Sequence, residues 1–262
     1  MLPDYPLDGL PIVAVWLLLA ICGGLVFEGS FRAGRWYQER TPDEKEGPAG
    51  MLTGSLLALF AFLLAVTMGM ASDRFETRRA LVLKEANSIG TTNLRAGYLP
   101  VPYDTEIQAL LRRYTPLRIN VPDDALYFAN YRAAQAIQNE MWSKTEELAR
   151  AHPESEVLGQ FIVTLNETID VSNERLVAGI YGRVPETIVW VLVLSGALSL
   201  AMVGYSAGLT RKRATPGAVV LILVMATVLT VIVDLDRPRD GFLTGSQTPL
   251  VDLVQQLGSP GS

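Results

Sequence analysis

Two long uncharged runs, close together near the C-terminus, limit what this chain can fold into. No charged side chain occurs from Thr187 to Thr210, and none from Ala214 to Val233. Roughly 20 such residues, rising about 1.5 Å each, cross a hydrocarbon layer about 30 Å thick. Lipid offers the backbone no hydrogen-bond partner, so each run must satisfy its own amides as a helix. Arg211, Lys212 and Arg213 form the short connection, and Thr215-Pro216 supplies a cap and a first-turn proline for the second helix. Residues 187–210 and 214–234 therefore read as a transmembrane helical hairpin.

Two more runs of this kind lie near the N-terminus. Pro11 to Phe27 is uncharged and, with Leu10, gives a first span over 10–27. It contains Cys22, read as a small apolar packer, and Gly23-Gly24, read as a close helix contact or bend. Residues 1–10 carry two aspartates and no cation, so the basic start of a cleavable signal peptide is missing. Residues 28–49 read as an interfacial loop, with Trp36 and Tyr37 at headgroup level. Residues 50–72 are again uncharged and form the second span, where Gly50 and Gly54 make a helix-packing pair.

Nothing stops the helix after Ser72. Helix formers continue to Gly90, and Phe75, Val82 and Ile89 recur at intervals of seven, so the second span is expected to leave the membrane as one continuous helix. Leu99-Pro100-Val101-Pro102 breaks it. Asp104 can cap a helix carrying Ile107, Leu110, Leu111 and Tyr114 on one face. Pro116 and Pro122 bracket a connector. Asp123 opens a helix to about Ala151, with Ala133, Ile137, Met141 and Leu148 inward. His152-Pro153-Glu154-Ser155 is a turn. A last helix follows with Leu158, Ile162, Leu165, Ile169 and Leu176 on one side, until Pro185. Residues 73–185 are thus an extramembrane helical domain. Asn166-Glu167-Thr168 fits a glycosylation sequon, but its place inside a helix argues for an ordinary helical segment. Residues 235–262 hold an exit turn, Asp236-Arg237-Pro238 with Gly241. A short amphipathic helix follows from Thr248, to lie on the membrane or on the helical domain. The fold class is an all-α integral membrane protein with four spans and a helical insert between the second and third.

The remaining composition excludes several chemistries. A net charge of −5 argues against nucleic acid as a partner. One cysteine and one histidine, Cys22 and His152, leave no basis for a disulfide, a Cys/His metal site or a nucleophile–base pair, so neither catalysis nor a cofactor is expected. Function is sought instead among polar groups at membrane depth, which are costly unless paired or wet. Thr53, Ser55 and Thr67 are the candidate pore residues of the second span. Asp234 shares a helix face with Thr227 and Thr230, so a polar stripe leads to a carboxylate; pairing with Arg237 or Arg239 at the interface is the plainer account. Asp236 and Arg237 are expected to pair locally with Arg239 and Asp240. Glu85, Asn87 and Ser88 would form a polar contact between helices. Asp73, Arg74, Arg78 and Arg79 read as interfacial anchors. Gly204 and Gly208, with Ala197 and Ala201, form a small-residue stripe for helix packing or subunit contact.

The order of elements and three groups of residues, Glu85-Ala86-Asn87, Pro185 with Trp190, and Asp236-Arg237-Pro238 with Gly241, resemble the bacterial bestrophin-like family. The resemblance covers about residues 10–257. The aromatic pore neck of bestrophins proper has no counterpart, since the second span offers only Phe60 and Phe62, and no acidic cluster resembles their calcium clasp. The resemblance implies a homo-oligomer in the cell membrane, an ion channel that would pass small inorganic ions. A non-conducting sensor or scaffold, whose helical domain binds a protein, fits the same span pattern. Orientation has two signals. The cations of the two short loops place those loops in the cytoplasm and the termini and helical domain outside. The resemblance, and the cations Arg74, Arg78, Arg79 and Lys84, imply the reverse.

Overall fold

The computed structural model describes residues 8–41, 47–121, 123–211, 213, 215–238 and 241–258. Among these the secondary structure is entirely helical: α1 Ile12–Arg40, α2 Gly47–Ala96, α3 Tyr103–Leu117, α4 Asp124–Ala151, α5 Glu156–Ile180, α6 Glu186–Thr210, α7 Thr215–Asp236 and α8 Thr248–Gly258. Four helices, α1, α2, α6 and α7, are long and apolar enough to cross a membrane. The chain is an all-α integral membrane protein with a helical insert between its second and third spans. It divides into two units. One gathers the chain up to Arg74, Arg183–Arg237 and Gly241–Leu243; the other takes Phe75–Gly182 and the tail from Thr244.

In the membrane unit, α1 and α6 approach so closely that glycine is required. A methyl group at Gly204 would overlap Ser30 Oγ and the Phe27 carbonyl. At Gly208 it would meet the Phe31 carbonyl, and at Gly34 the Tyr205 carbonyl. Such contacts replace the hydrophobic drive that is absent between helices in lipid. Gly23 packs in the same way, 3.2 Å from Ile222 and Leu200, whereas Gly24 faces open space. Phe60 of α2 fits over Gly196, and Ser199 Oγ donates to the Leu56 carbonyl at 3.2 Å.

Several expectations need correction here. Residues 28–40 are not a loop: α1 runs on to Arg40. Its last turns carry their own ion pairs, Arg32 with Glu28 and Arg35 with Glu39, Arg40 stacks on Trp36, and Arg213 reaches Glu28 from outside the helix. The charges that looked like a loop are helix-stabilising pairs four apart. Gly50 and Gly54 have nothing near them among the described residues, so the small-residue packing expected of them is not made there. Cys22 is exposed on the span's surface rather than packed inside.

The helical unit builds one core from the α2 extension, α3, α4, α5 and α8, centred on Ile89, Leu111, Tyr114, Met141, Phe161 and Leu165. α4 starts at Asp123, whose carboxylate accepts from Leu126 N at 2.7 Å, and α5 at Ser155, whose Oγ accepts from Leu158 N at 3.2 Å. Asp104 is not a cap: α3 opens after Pro102 without a side-chain bond, and Asp104 sits in the first turn. The inward alanine of α4 is Ala134, while Ala133 is exposed, a one-residue shift that moves a side chain about 100° around the helix. α8 buries Leu250 and Leu253 in this core, so the tail helix belongs to the helical unit rather than to the membrane surface. Pro122, Lys212, Ala214, Arg239, Asp240, the N-terminal residues 1–7, residues 42–46 and the tail from 259 lie outside the described residues. So do the readings that rest on them: the pairing of Asp236 and Arg237 with Arg239 and Asp240, and the absent basic start.

Candidate functional site

The three candidate pore residues do not share a face. Thr53 and Thr67 lie in line with Phe60, at intervals of seven, on the side of α2 that packs into its own unit. Thr53 Oγ1 donates to the Ala49 carbonyl at 2.8 Å and lies 2.9 Å from Ser206 Oγ. Thr67 is buried and donates to the Leu63 carbonyl. Ser55 points the other way. It heads an exposed stripe of Ser55, Leu59, Phe62, Val66, Gly69 and Asp73, all on one helix face and uncovered by the described residues. Only 6% of the apolar span of α2 is buried, against 44% for α7. α2 is thus the span with the most surface left over.

At the end of α7, three acidic and basic pairs organise the chain's exit. Asp234 is buried, and its two carboxylate oxygens accept from Phe242 N at 2.9 Å and Leu243 N at 3.0 Å. This tight return requires Gly241: its φ is 139°, and a side chain there would overlap the Asp234 carboxylate. Pro238 stands just past the helix end, where no further helical amide is needed. Asp236 accepts from Arg183 Nε at 3.0 Å and from Val184 N at 2.7 Å. Arg183 also holds Asp8 with both terminal nitrogens. Arg237 donates to the Leu10 carbonyl at 2.8 Å and lies 4.0 Å from Asp8. Burial alone would pull the Arg183 guanidinium down, but its bonds to Asp8 and the charge of Asp236 reverse this and hold it above its ordinary value.

The third candidate group lies in the helical unit. Glu85 is completely buried and is shared by two guanidiniums, Arg118 Nε and Arg175, each at 2.5 Å. Arg175 further donates to the Arg118 carbonyl at 2.8 Å, and to Asn120 Oδ1 and Gln247 Oε1 at 2.9 Å each. Burial opposes the charge of Arg118, and the Glu85 carboxylate overcomes it, so the guanidinium stands above its ordinary value. Ser88 Oγ donates to the Glu85 carbonyl at 2.9 Å. Asn87 is exposed and takes no part in this cluster. One level further along, Thr92 donates to the Thr164 carbonyl and meets Thr168 Oγ1 at 2.9 Å. Glu85 thus reaches Arg118 and Arg175 from the α2 extension, whereas the Ser88 hydroxyl bonds only within α2.

Sequence reasoning missed Arg118, Arg175, Arg183, Asp8 and Gln247. One signal was available: Phe161, Thr168 and Arg175 recur at seven on the buried face of α5, which puts a charge where the pattern calls for an apolar residue. Among the described residues, no three His, Cys, Asp or Glu side chains converge as metal ligands. The chemistry available is electrostatic: buried charges locked in pairs, and a span with an open face.

Four membrane-length helices, with a helical unit inserted in the chain between the second and third, define the class as a polytopic α-helical membrane protein. The family model of the bestrophin-like domain matches residues 23–250, and the chain belongs to that family. In structure it is similar to a bacterial bestrophin homologue from Klebsiella pneumoniae. One crystal structure of that protein aligns with a TM-score of 0.65 at 17% identity, covering 94% of this chain and 95% of that one. Two single-substitution variants align at 0.68 and 0.69, with 15% and 16% identity, each covering 94% of this chain and 97% of that one. At such identity the likeness establishes the fold. No curated protein sequence matches the chain.

Proposed function

We propose that the chain assembles with copies of itself around the open face of α2 and forms an ion-conducting pore in the cell membrane. The observation that carries this reading is the uncovered stripe from Ser55 to Asp73. It begins with a hydroxyl, passes Gly69 and ends in an exposed carboxylate, whereas a helix face meant for lipid alone is apolar throughout. Family membership supports it, since the family takes its name from the bestrophin anion channels. The pore set differs from the one the sequence suggested: Ser55 stays, and Leu59, Phe62 and Val66 join it in place of Thr53 and Thr67. Asp234 and Asp236 then act as fasteners of the exit turn rather than as ion contacts. Small inorganic ions are the permeant species in this reading, and catalysis has no part in it.

Protein reconstituted in planar bilayers should carry current in simple monovalent salts, and Phe62→Ala should change the unitary conductance while Thr67→Ala leaves it unchanged. No current over a wide range of salt, pH and voltage would count against conduction. A second reading, a membrane scaffold that binds a protein, is favoured by one observation. The helical unit carries an open groove of about 740 Å³ between the α2 extension and α5, bordered by Leu81, Asp170, Glu174, Val177 and Tyr181. A stable protein partner combined with absent flux would select it. For orientation, the short-loop cations Arg211 and Arg213 favour a cytoplasmic hairpin and outside termini; a family-like arrangement puts the termini in the cytoplasm.

A further inference from the structure

We propose that the recess between the start of α1 and the end of α7 is a binding site for one acyl chain of a membrane phospholipid. The recess holds about 380 Å³ and is walled by Val13 and Trp16 of α1, Val231 of α7, and Phe242 and Leu243 of the exit turn.

Its polar atoms are engaged within the protein. Thr227 donates to the Leu223 carbonyl and accepts from Trp16 Nε1 at 3.0 Å. Thr230 donates to the Ala226 carbonyl. Both oxygens of Asp234 accept backbone amides, those of the wall residues Phe242 and Leu243. A buried water needs two to four polar partners, and apolar cavities stay dry until an apolar molecule fills them. An unfilled recess forfeits the contacts of its lining. The occupant that chemistry calls for is therefore hydrocarbon.

The source of that hydrocarbon follows from where the recess opens. It is continuous with the surface the spans present to the bilayer. From its mouth, Val13, Leu17 and Ile21 form an exposed row along α1, and Val220 and Val224 form one along α7. An acyl chain lying along these rows reaches the recess without leaving apolar surroundings. Of the spans, the recess takes the first turns of α1 and the last turns of α7, so it sits at one end of them. There the two-residue return Phe242-Leu243, its amides held by Asp234, forms one wall. The tight exit turn thus has a use beyond stopping the helix, since it sets a hydrophobic wall at the mouth of the groove.

Trp16 reports on the site directly. With Trp36, Trp142 and Trp190 changed to Phe, the full chain in detergent would be titrated with phosphatidylcholine bearing brominated acyl chains. Trp16 emission should be quenched saturably, at about one lipid per chain, before the micelle as a whole fills with lipid. Val231→Phe and, separately, Val13→Phe fill the recess and should remove the saturable phase while leaving the slow, lipid-proportional quenching. Two filling variants on different helices guard against one that fails to fold. Quenching that is only proportional to lipid and indifferent to both variants would overturn the proposal. So would saturation by brominated stearate but not by phospholipid, or a Trp16 shielded at every lipid level because a second copy covers the groove.

Discussion

Glu85 is fully buried and bound by two guanidiniums. Its carboxylate is the common partner of two buried guanidiniums, and removing it leaves both facing a low-dielectric interior. Breaking a buried ion pair from one side costs about 3–5 kcal/mol. Glu85→Gln should therefore lower the unfolding midpoint in detergent by a large margin, whereas Asn87→Ala, two positions away and exposed, should stay within about 0.5 kcal/mol of wild type. Next to this cluster, Tyr114 is buried and its hydroxyl accepts from Gln138 Nε2 at 2.9 Å. Burial raises the phenol above its ordinary value of 10.0, against the opposing charge of Arg118. A value raised by folding gives stability that is full below the unfolded value and is lost as pH climbs through the folded one. Thermal stability should thus fall above about pH 10, and Tyr114→Phe should fall less steeply over the same window. None of these pairings was visible along the sequence, because Glu85 meets partners 33 and 90 positions away.

At the scale of elements, glycine content alone misled and glycine position informed. Gly50 with Gly54 and Gly204 with Gly208 have the same spacing, yet the first pair faces open space. Gly204 and Gly208 lie against the carbonyls of α1. Gly208→Val should therefore separate α1 from α6 and sharply reduce the yield of folded protein, while Gly54→Ala should leave the folding of the isolated chain unchanged; size-exclusion profiles and thermal midpoints in detergent compare them. The same contrast explains the α1 boundary. Charges after Phe27 suggested the end of a helix. Spaced at four, Glu28 with Arg32 and Arg35 with Glu39 instead extend it to Arg40. From Asp73 onward nothing in the sequence breaks a helix before Gly90, and α2 continues to Ala96.

For the whole molecule, the exposed span of α2 is the surface that assembly would cover. An assembly around the Ser55 face predicts a detergent-solubilised mass that is a multiple of 28.6 kDa. On a Cys22→Ser background, Ser55→Cys should cross-link between copies under oxidation, and Thr67→Cys, buried within its own chain, should not. A monomeric mass with no cross-link at either position would remove the basis for an α2-lined axis.

What the sequence determined by itself was the number of spans, their helical character and the helical nature of the insert. Lipid leaves an uncharged 20-residue run no other way to satisfy its backbone, and the 3.6-residue period writes a buried face directly into the order of residues. Tertiary structure alone decided which side of α2 is left open, which charges are buried together and where the exit turn closes. Those outcomes depend on side chains delivered from distant parts of the chain: Arg183 to Asp8 across 175 positions, Arg175 to Glu85 across 90, Trp16 to Thr227 across 211. A local pattern carries no record of such meetings.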